Sequence, residues 1–238
     1  MSGQLYFRQL LSGRDYAVGD EMATSMRNFT YVVGDRESGE AVLVDPAYRP
    51  GELLELVAAD GMKIAGLFAT HFHADHIGGT LMAGHYIAGV KELLELIDVP
   101  LHAQDAEVPW IVERTGLSTH AITAHDDGDV VPVGQVAITT IATPGHTPGS
   151  QCLLVEERLL SGDTLFIDGC GRTDFPGGDP SEMYRTLHER LAFISDETIL
   201  FPGHLYSAEA SLSMGEVRRR NFVFAPSSLE QWLAAFGS

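Results

Sequence analysis

The decapeptide THFHADHIGG, Thr70 to Gly79, sets His71, His73, Asp75 and His76 within six consecutive positions, directly after the apolar run IAGLFA. In an extended segment residues two apart point the same way, so His71 and His73 can reach one ion together. Asp75 and His76 lie beyond them, where the chain must begin to turn, and can face a second ion. Three further apolar runs end in the same kind of group: TPGH in His146, SGD in Asp163 and FPGH in His204. Gly145, Gly162 and Gly203 immediately precede these three residues, and a residue without Cβ lets the backbone turn sharply towards a shared site. If the fold gathers these ends at one edge, seven metal-capable side chains converge. Asp163, with two oxygens, can bridge two cations as an imidazole cannot. Nitrogen and oxygen ligands without thiolate suit zinc, iron or manganese. The remaining histidines, His85, His102, His120, His125 and His188, stand alone and are expected outside the cluster.

The elements that must position these groups are legible in outline. Apolar and β-branched runs bounded by turn residues predict strands at FTYVVGD, AVLVDPA, IAGLFATH, VAITTIATPGH, QCLLVEERLLSGD and TILFPGH. Helical periodicity appears in GELLELVAADG, VKELLELIDVP and DPSEMYRTLHERLAFI. In the last, Asp179 can cap the amino end, Pro180 suits the first helical position and Glu182 completes a capping box. Met183, Leu187, Leu191 and Ile194 then form one apolar stripe. Strands and helices alternate in both halves, which predicts an α/β architecture. No Gly/Ser linker or charge block divides the chain. One domain over residues 1–238 is expected, with a helical insertion at about 81–129 and a short tail after 207.

Composition narrows the partners. Fifteen basic against thirty-three acidic residues give a formal charge of -18, a surface that repels a phosphate backbone and excludes nucleic acid as an expected partner. The one basic cluster, Arg218 to Arg220, is expected on a solvated helix face. No run approaches the roughly 18 apolar residues needed to span a bilayer, and the amino terminus lacks a basic start followed by an apolar run. The expectation is a cytoplasmic chain, without a membrane partner, acting on a small molecule. Two cysteines, Cys152 and Cys170, are too few for a disulfide framework. The oligomeric state stays open, a homodimer being one option.

At its histidine cluster the sequence resembles the metallo-β-lactamase superfamily, whose HxHxDH motif is present as HFHADH and whose later elements are matched by TPGHTPGS, SGDTLF and FPGH, from about Asn28 to Ser207. The resemblance implies an αββα sandwich, two facing sheets with helices outside and the metal centre at one edge. It implies that His71, His73 and His146 hold a first metal and Asp75, His76 and His204 a second, with Asp163 bridging. Two divalent ions, zinc first and iron or manganese as alternatives, would make hydroxide from water near neutral pH, and Asp75 and Asp163 are the catalytic candidates that hold and orient it. No serine or cysteine nucleophile is required.

GDTLFIDGCGRTDFPGG resembles the glyoxalase II group and, in GCGRTDF, its persulfide dioxygenase relatives. The first hydrolyse a glutathione thioester at a binuclear centre. The second oxidise glutathione persulfide at a single Fe(II), with ligands equivalent to His71, His146 and Asp163. The leading expectation is a thioester hydrolase; the alternatives are the mononuclear iron dioxygenase and a lactonase or other hydrolase of this fold. Glyoxalase II has a helical carboxy-terminal domain that this chain's short tail does not match, and the dioxygenases follow the last ligand with an acidic residue and an aromatic where this chain has HLYS. Arg172, Tyr206 and Tyr86 are the expected substrate contacts, with Ile87, Val108, Pro109 and Trp110 as candidate pocket wall or helical cover.

Overall fold

The computed structural model describes residues 4–81 and 84–237. The expected helical insertion at about 81–129 includes residues 82 and 83, which lie outside the described part, and it is not purely helical: Leu101–Gln104 and Ile122–His125 within it are strands that complete the first sheet. The first half builds β1 (Leu5–Leu11), α1 (Glu21–Met26), β2 (Phe29–Asp35), β3 (Glu40–Val44), α2 (Pro50–Ala59), β4 (Lys63–Phe68) and the short α3 (Ala74–Ile77). Then come a two-stranded ribbon, β5 (Gly79–Thr80) and β6 (Tyr86–Ile87), α4 (Val90–Leu96), β7 (Leu101–Gln104), α5 (Val108–Thr115) and β8 (Ile122–His125). The second half contains β9 (Val130–Val133), β10 (Val136–Ala142), β11 (Gln151–Val155), β12 (Arg158–Gly162), α6 (Pro180–Arg185), β13 (Ile199–Pro202), β14 (Leu212–Ser213), α7 (Met214–Arg220) and α8 (Leu229–Phe236).

Two six-stranded mixed sheets result, ordered β1-β2-β3-β4-β7-β8 and β14-β13-β12-β11-β10-β9. They pack face to face because their strands alternate. Phe29, Tyr31 and Val33 of β2 turn inward to meet Val131, Ile138, Leu153 and Leu160 of the other sheet. Thr30 and Val32, on the opposite side of the same strand, are also buried, and Val32 joins the cluster of Leu53, Val57, Leu93 and Ile111 under α2, α4 and α5. The second sheet is covered likewise: Leu159 and Leu200 pack with Met183, Leu187, Met214 and Trp232. The architecture is the expected αββα sandwich.

Several expected elements differ in detail. QCLLVEERLLSGD forms two strands, not one, turning through Glu156 at φ 50°. The helix from Asp179 is regular only as far as Arg185. A π-helical turn, Thr186–Arg190, and a 3₁₀ turn, Leu191–Phe193, follow, and this change of pitch still keeps Met183, Leu187 and Leu191 buried. Asp179 caps as expected, accepting from the N–H groups of Ser181 (2.7 Å) and Glu182 (3.1 Å), but Glu182 does not complete the box: its carboxylate pairs with Arg185, and the Asp179 N–H donates to the Gly145 carbonyl instead. The segment after residue 207 contributes β14 to a sheet edge, and α8 buries Trp232 against the second sheet's helical cover. Arg218 to Arg220 lie on α7 and pair with Asp196, Glu216 and Glu209, as a solvated face should. Among the described residues no helix is long and apolar enough to cross a membrane.

Leu153 is fully buried between the sheets. Leu153→Ala should cost about 2–5 kcal/mol in a urea unfolding experiment. A loss below about 1 kcal/mol would mean that the two sheets do not share this core.

Candidate metal centre

All seven expected groups meet at one edge of the sandwich. β4 ends at Phe68 and releases the chain into His71 and His73, and α3 carries Asp75 and His76. His146 follows β10, Asp163 follows β12 and His204 follows β13. Three groups of converging ligand atoms, His71–His73–His146, Asp75–His76–His204 and Asp45–His71–His76, each lie within 4.8 Å. His146 Nε2 is 2.9 Å from His73 Nδ1, and His76 Nε2 is 3.1 Å from His204 Nε2. Asp163 stands between the first two groups, with Oδ2 3.8 Å from His146 Nε2 and 3.4 Å from His204 Nε2. His85, His102, His120, His125 and His188 take no part in these groups.

Backbone close approach makes the convergence feasible. Gly145 sits at φ 140°, and a Cβ there would lie 2.5 Å from Met183 Cα. Gly171 is packed flat on the site, where a Cβ would lie 2.8 Å from the His146 ring. Gly203 corrects the simple expectation of a sharp turn before each ligand: its φ is not positive, and what its missing side chain supplies is room for Asp163 Oδ1.

The outer nitrogen of each of four rings is tied down, which decides what the inner nitrogen offers. The Thr70 hydroxyl donates to Asp45 Oδ2 at 2.6 Å, so its lone pair accepts from His71 Nδ1 at 3.0 Å. His76 Nδ1 donates to the same Asp45 oxygen (2.9 Å), His146 Nδ1 to the Arg172 carbonyl (2.6 Å) and His204 Nδ1 to the Met26 carbonyl (2.8 Å). Every Nε2 therefore turns inward. Burial, reinforced by the neighbouring rings, holds His71 far below its ordinary pKa and lowers His73 to about 3. Both are neutral and carry a free lone pair. At His204 burial opposes the charge, but Asp163 and Asp75 outweigh it and push the ring up to about 9. Among the described residues, His71 Nε2 and Asp163 Oδ1 are buried without any hydrogen-bond partner. Asp163 Oδ1 has only the His76 ring 3.3 Å away and His71 Nε2 has nothing, and a buried donor of electron pairs left so costs stability, so the donor set fits a divalent cation.

Asp45 is the site residue that sequence reasoning passed over. It lies in AVLVDPA at the end of a strand, as the other site residues do, and both its oxygens are taken up in bonds to Thr70 and to His76 Nδ1, so it holds two rings from their outer side. Asn28 is a second: its amide, fixed by the Tyr48 hydroxyl at 2.8 Å, donates to Asp75 Oδ2 at 3.0 Å.

A cavity of about 1320 Å³ opens over His73, Asp75, His146, Asp163 and His204. Tyr206 lines it, stacked on the His204 ring at 4.6 Å. Arg172 lines it too, with its guanidinium over Phe175 at 4.5 Å and paired with Asp174. Tyr86 does not: it is half exposed on the ribbon, and its hydroxyl donates to Glu92 at 2.5 Å. Of the residues read as either pocket wall or helical cover, Trp110 lines the cavity, while Ile87 is buried in the first core. Cys170 also lines the cavity and is free.

An αββα sandwich with histidines and aspartates gathered at one edge defines a metalloprotein of a specific class. A family model of the metallo-beta-lactamase superfamily matches residues 24–204, and the chain belongs to that superfamily. Persulfide dioxygenase ETHE1, mitochondrial, of Bos taurus is 32% identical over 81% of this chain and 70% of its own length. Hydroxyacylglutathione hydrolase of Nitrosococcus oceani is 35% identical over 77% of this chain but 64% of its own length. The crystal structure of ETHE1 from Myxococcus xanthus superposes with a TM-score of 0.80 at 30% identity, covering 98% of this chain and 90% of that one.

Burial pushes the Cys170 thiol up to about 12, which removes it as a nucleophile near neutral pH. Iodoacetamide at pH 8 should alkylate Cys170 in the native protein roughly a thousandfold more slowly than in the unfolded chain. Rates within tenfold of each other, read by mass spectrometry, would return a cysteine nucleophile to consideration.

Proposed function

We propose that this chain is a mononuclear iron dioxygenase acting on the persulfide of a low-molecular-weight thiol. The observation that carries the reading is the end-to-end match to the Myxococcus xanthus structure, against a hydrolase relative that this chain covers only in part. The thioester hydrolase, the first expectation from sequence, is the reading these relatives favour less. Local chemistry agrees with the preference. His71, His146 and Asp163 would hold the metal, two imidazoles and one carboxylate being the donor set that suits ferrous oxygenases. The two orphaned atoms, His71 Nε2 and Asp163 Oδ1, both belong to that trio.

Ferrous iron there would supply the redox chemistry that lets dioxygen, a four-electron acceptor, oxidise a sulfane sulfur to sulfite. The chain's own groups have other tasks. His146 is held in its metal-facing orientation by the Arg172 carbonyl, so the GCGRTDF loop sets a ligand as well as the cavity mouth. The Arg172 guanidinium, mostly exposed, would meet an acidic group of the substrate. Tyr206 would donate a hydrogen bond to it from beside His204. Aromatic walls at Phe72, Trp110 and Phe175 would limit water near the reacting sulfur.

A second reading, a binuclear hydrolase of thioesters, is favoured by one feature: Asp75, His76 and His204 form a second complete ligand group. Metal analysis separates the two. Protein purified anaerobically from its native host should carry one iron per chain, and with glutathione persulfide should consume one dioxygen per sulfite formed. His71→Ala should lose both iron and at least 100-fold in turnover, by direct removal of a ligand. Two metals per chain, cleavage of S-lactoylglutathione and no oxygen uptake would overturn the dioxygenase in favour of the hydrolase.

A further inference from the structure

We propose that Glu107 is a positioning residue for the metal centre, whose carboxylate ties the loop bearing His71 and His73 to the turn that follows His146. Glu107 lies in a 3₁₀ turn, Asp105–Glu107, between β7 and α5, within the insertion, and is 0% exposed. Its Oε1 accepts from the Phe72 N–H at 2.7 Å and from the Thr147 hydroxyl at 2.8 Å, and its Oε2 accepts from the Gly149 N–H at 2.7 Å. Phe72 is the residue between His71 and His73. Thr147 and Gly149 belong to the turn that begins at His146. One side chain thus ties together the two segments that carry His71, His73 and His146.

The arrangement is built for this contact. A Cβ on Gly149 would lie 2.3 Å from the Glu107 nitrogen, so the turn can approach the carboxylate only with glycine there. The Thr147 hydroxyl donates its one proton to Glu107 and is itself 2.6 Å from Ser150 Oγ, which therefore donates to it. The insertion holds Phe72 by its ring as well: Trp110 stacks on it at 5.0 Å, and the Arg114 guanidinium lies over it at 5.5 Å. Backbone and ring of Phe72 are both fixed by residues 107–114, and extended geometry then fixes the directions of its two histidine neighbours.

A packing role alone does not explain the choice of residue. An apolar side chain of the same size fills a buried gap without the cost of desolvating a carboxylate. Burial pushes the Glu107 carboxyl up to about 7, a cost offset by the three donated hydrogen bonds. Those bonds go to groups that adjoin ligands. Holding two ligand-bearing loops at a fixed separation before metal arrives lowers the ordering cost of binding it.

The proposal rests on the reading of His71 and His146 as metal ligands, and zinc binding to chelator-stripped protein tests both separately. Glu107→Gln keeps the shape but sets an amide N–H₂ against one of the donors. It should bind zinc, measured by competition with a chelating dye, about 10–100-fold more weakly than wild type. Ile111→Ala, a fully buried change on the neighbouring helix α5, should lower the melting temperature comparably and leave zinc affinity within about twofold. That split is what a merely structural role does not produce. Should Glu107→Gln fail to fold, Thr147→Val, which removes a single donor, should still weaken zinc severalfold. Equal zinc affinity in wild type and the folded Glu107 or Thr147 variant overturns the proposal alone, as does a loss that Ile111→Ala reproduces. Wild type that binds no zinc overturns the ligand reading and the proposal together.

Discussion

Everything at this sheet edge depends on burying imidazoles with their inner nitrogens turned towards one shared centre. A buried lone pair without a partner is expensive, and here two orphaned atoms, His71 Nε2 and Asp163 Oδ1, share one centre. The cost is tolerable only because each ring is fixed from behind. Asp45 serves two histidines, one directly and one through Thr70, while backbone carbonyls of Arg172 and Met26 serve His146 and His204. The outer bonds determine the tautomer, and the tautomer determines where electron density points. A cation is the natural complement to that arrangement.

The sandwich supplies the rigidity that such precision requires. β4, β10, β12 and β13 belong to two sheets, and the ligands that follow them can meet only if the sheets are locked together. The shared core of Phe29, Tyr31, Leu153 and Leu160 does this over the length of the strands. Tyr31 adds a direct link, its hydroxyl donating to the Pro202 carbonyl at 2.5 Å, two residues before His204. Function therefore sits on loops whose freedom is limited by the strands beneath and by polar contacts to neighbouring segments.

Around this fixed centre two segments complete the opening. The insertion between the motif and β8 grips Phe72 and contributes Trp110 to the cavity. At the carboxy end, Trp232 and Phe236 of α8 form another part of the wall. Both segments face the same opening.

Much of this was written in local sequence. Strand ends are marked by turn glycines and prolines after β-branched runs, and the HFHADH spacing itself places two histidines on one side of an extended segment. Those signals are short-range, so a reading of neighbours in the chain picks out the seven metal-capable side chains and an α/β architecture, while the sandwich followed from the family resemblance. The helix from Asp179 shows the limit: its cap and stripe were legible, but the π turn that keeps the stripe buried answers to packing on the second sheet. Asp45, Asn28 and Glu107 were invisible for a related reason. Each is an ordinary polar residue at its own position and acquires a task only through partners 25 to 47 residues away. Tyr86 erred in the opposite sense, since its aromatic ring in the insertion gave no sign that the ribbon would turn it to solvent. The sequence by itself determined which atoms can bind a metal; the tertiary structure decided which nitrogens face it and which groups hold them there, because orientation is set by contacts across the fold.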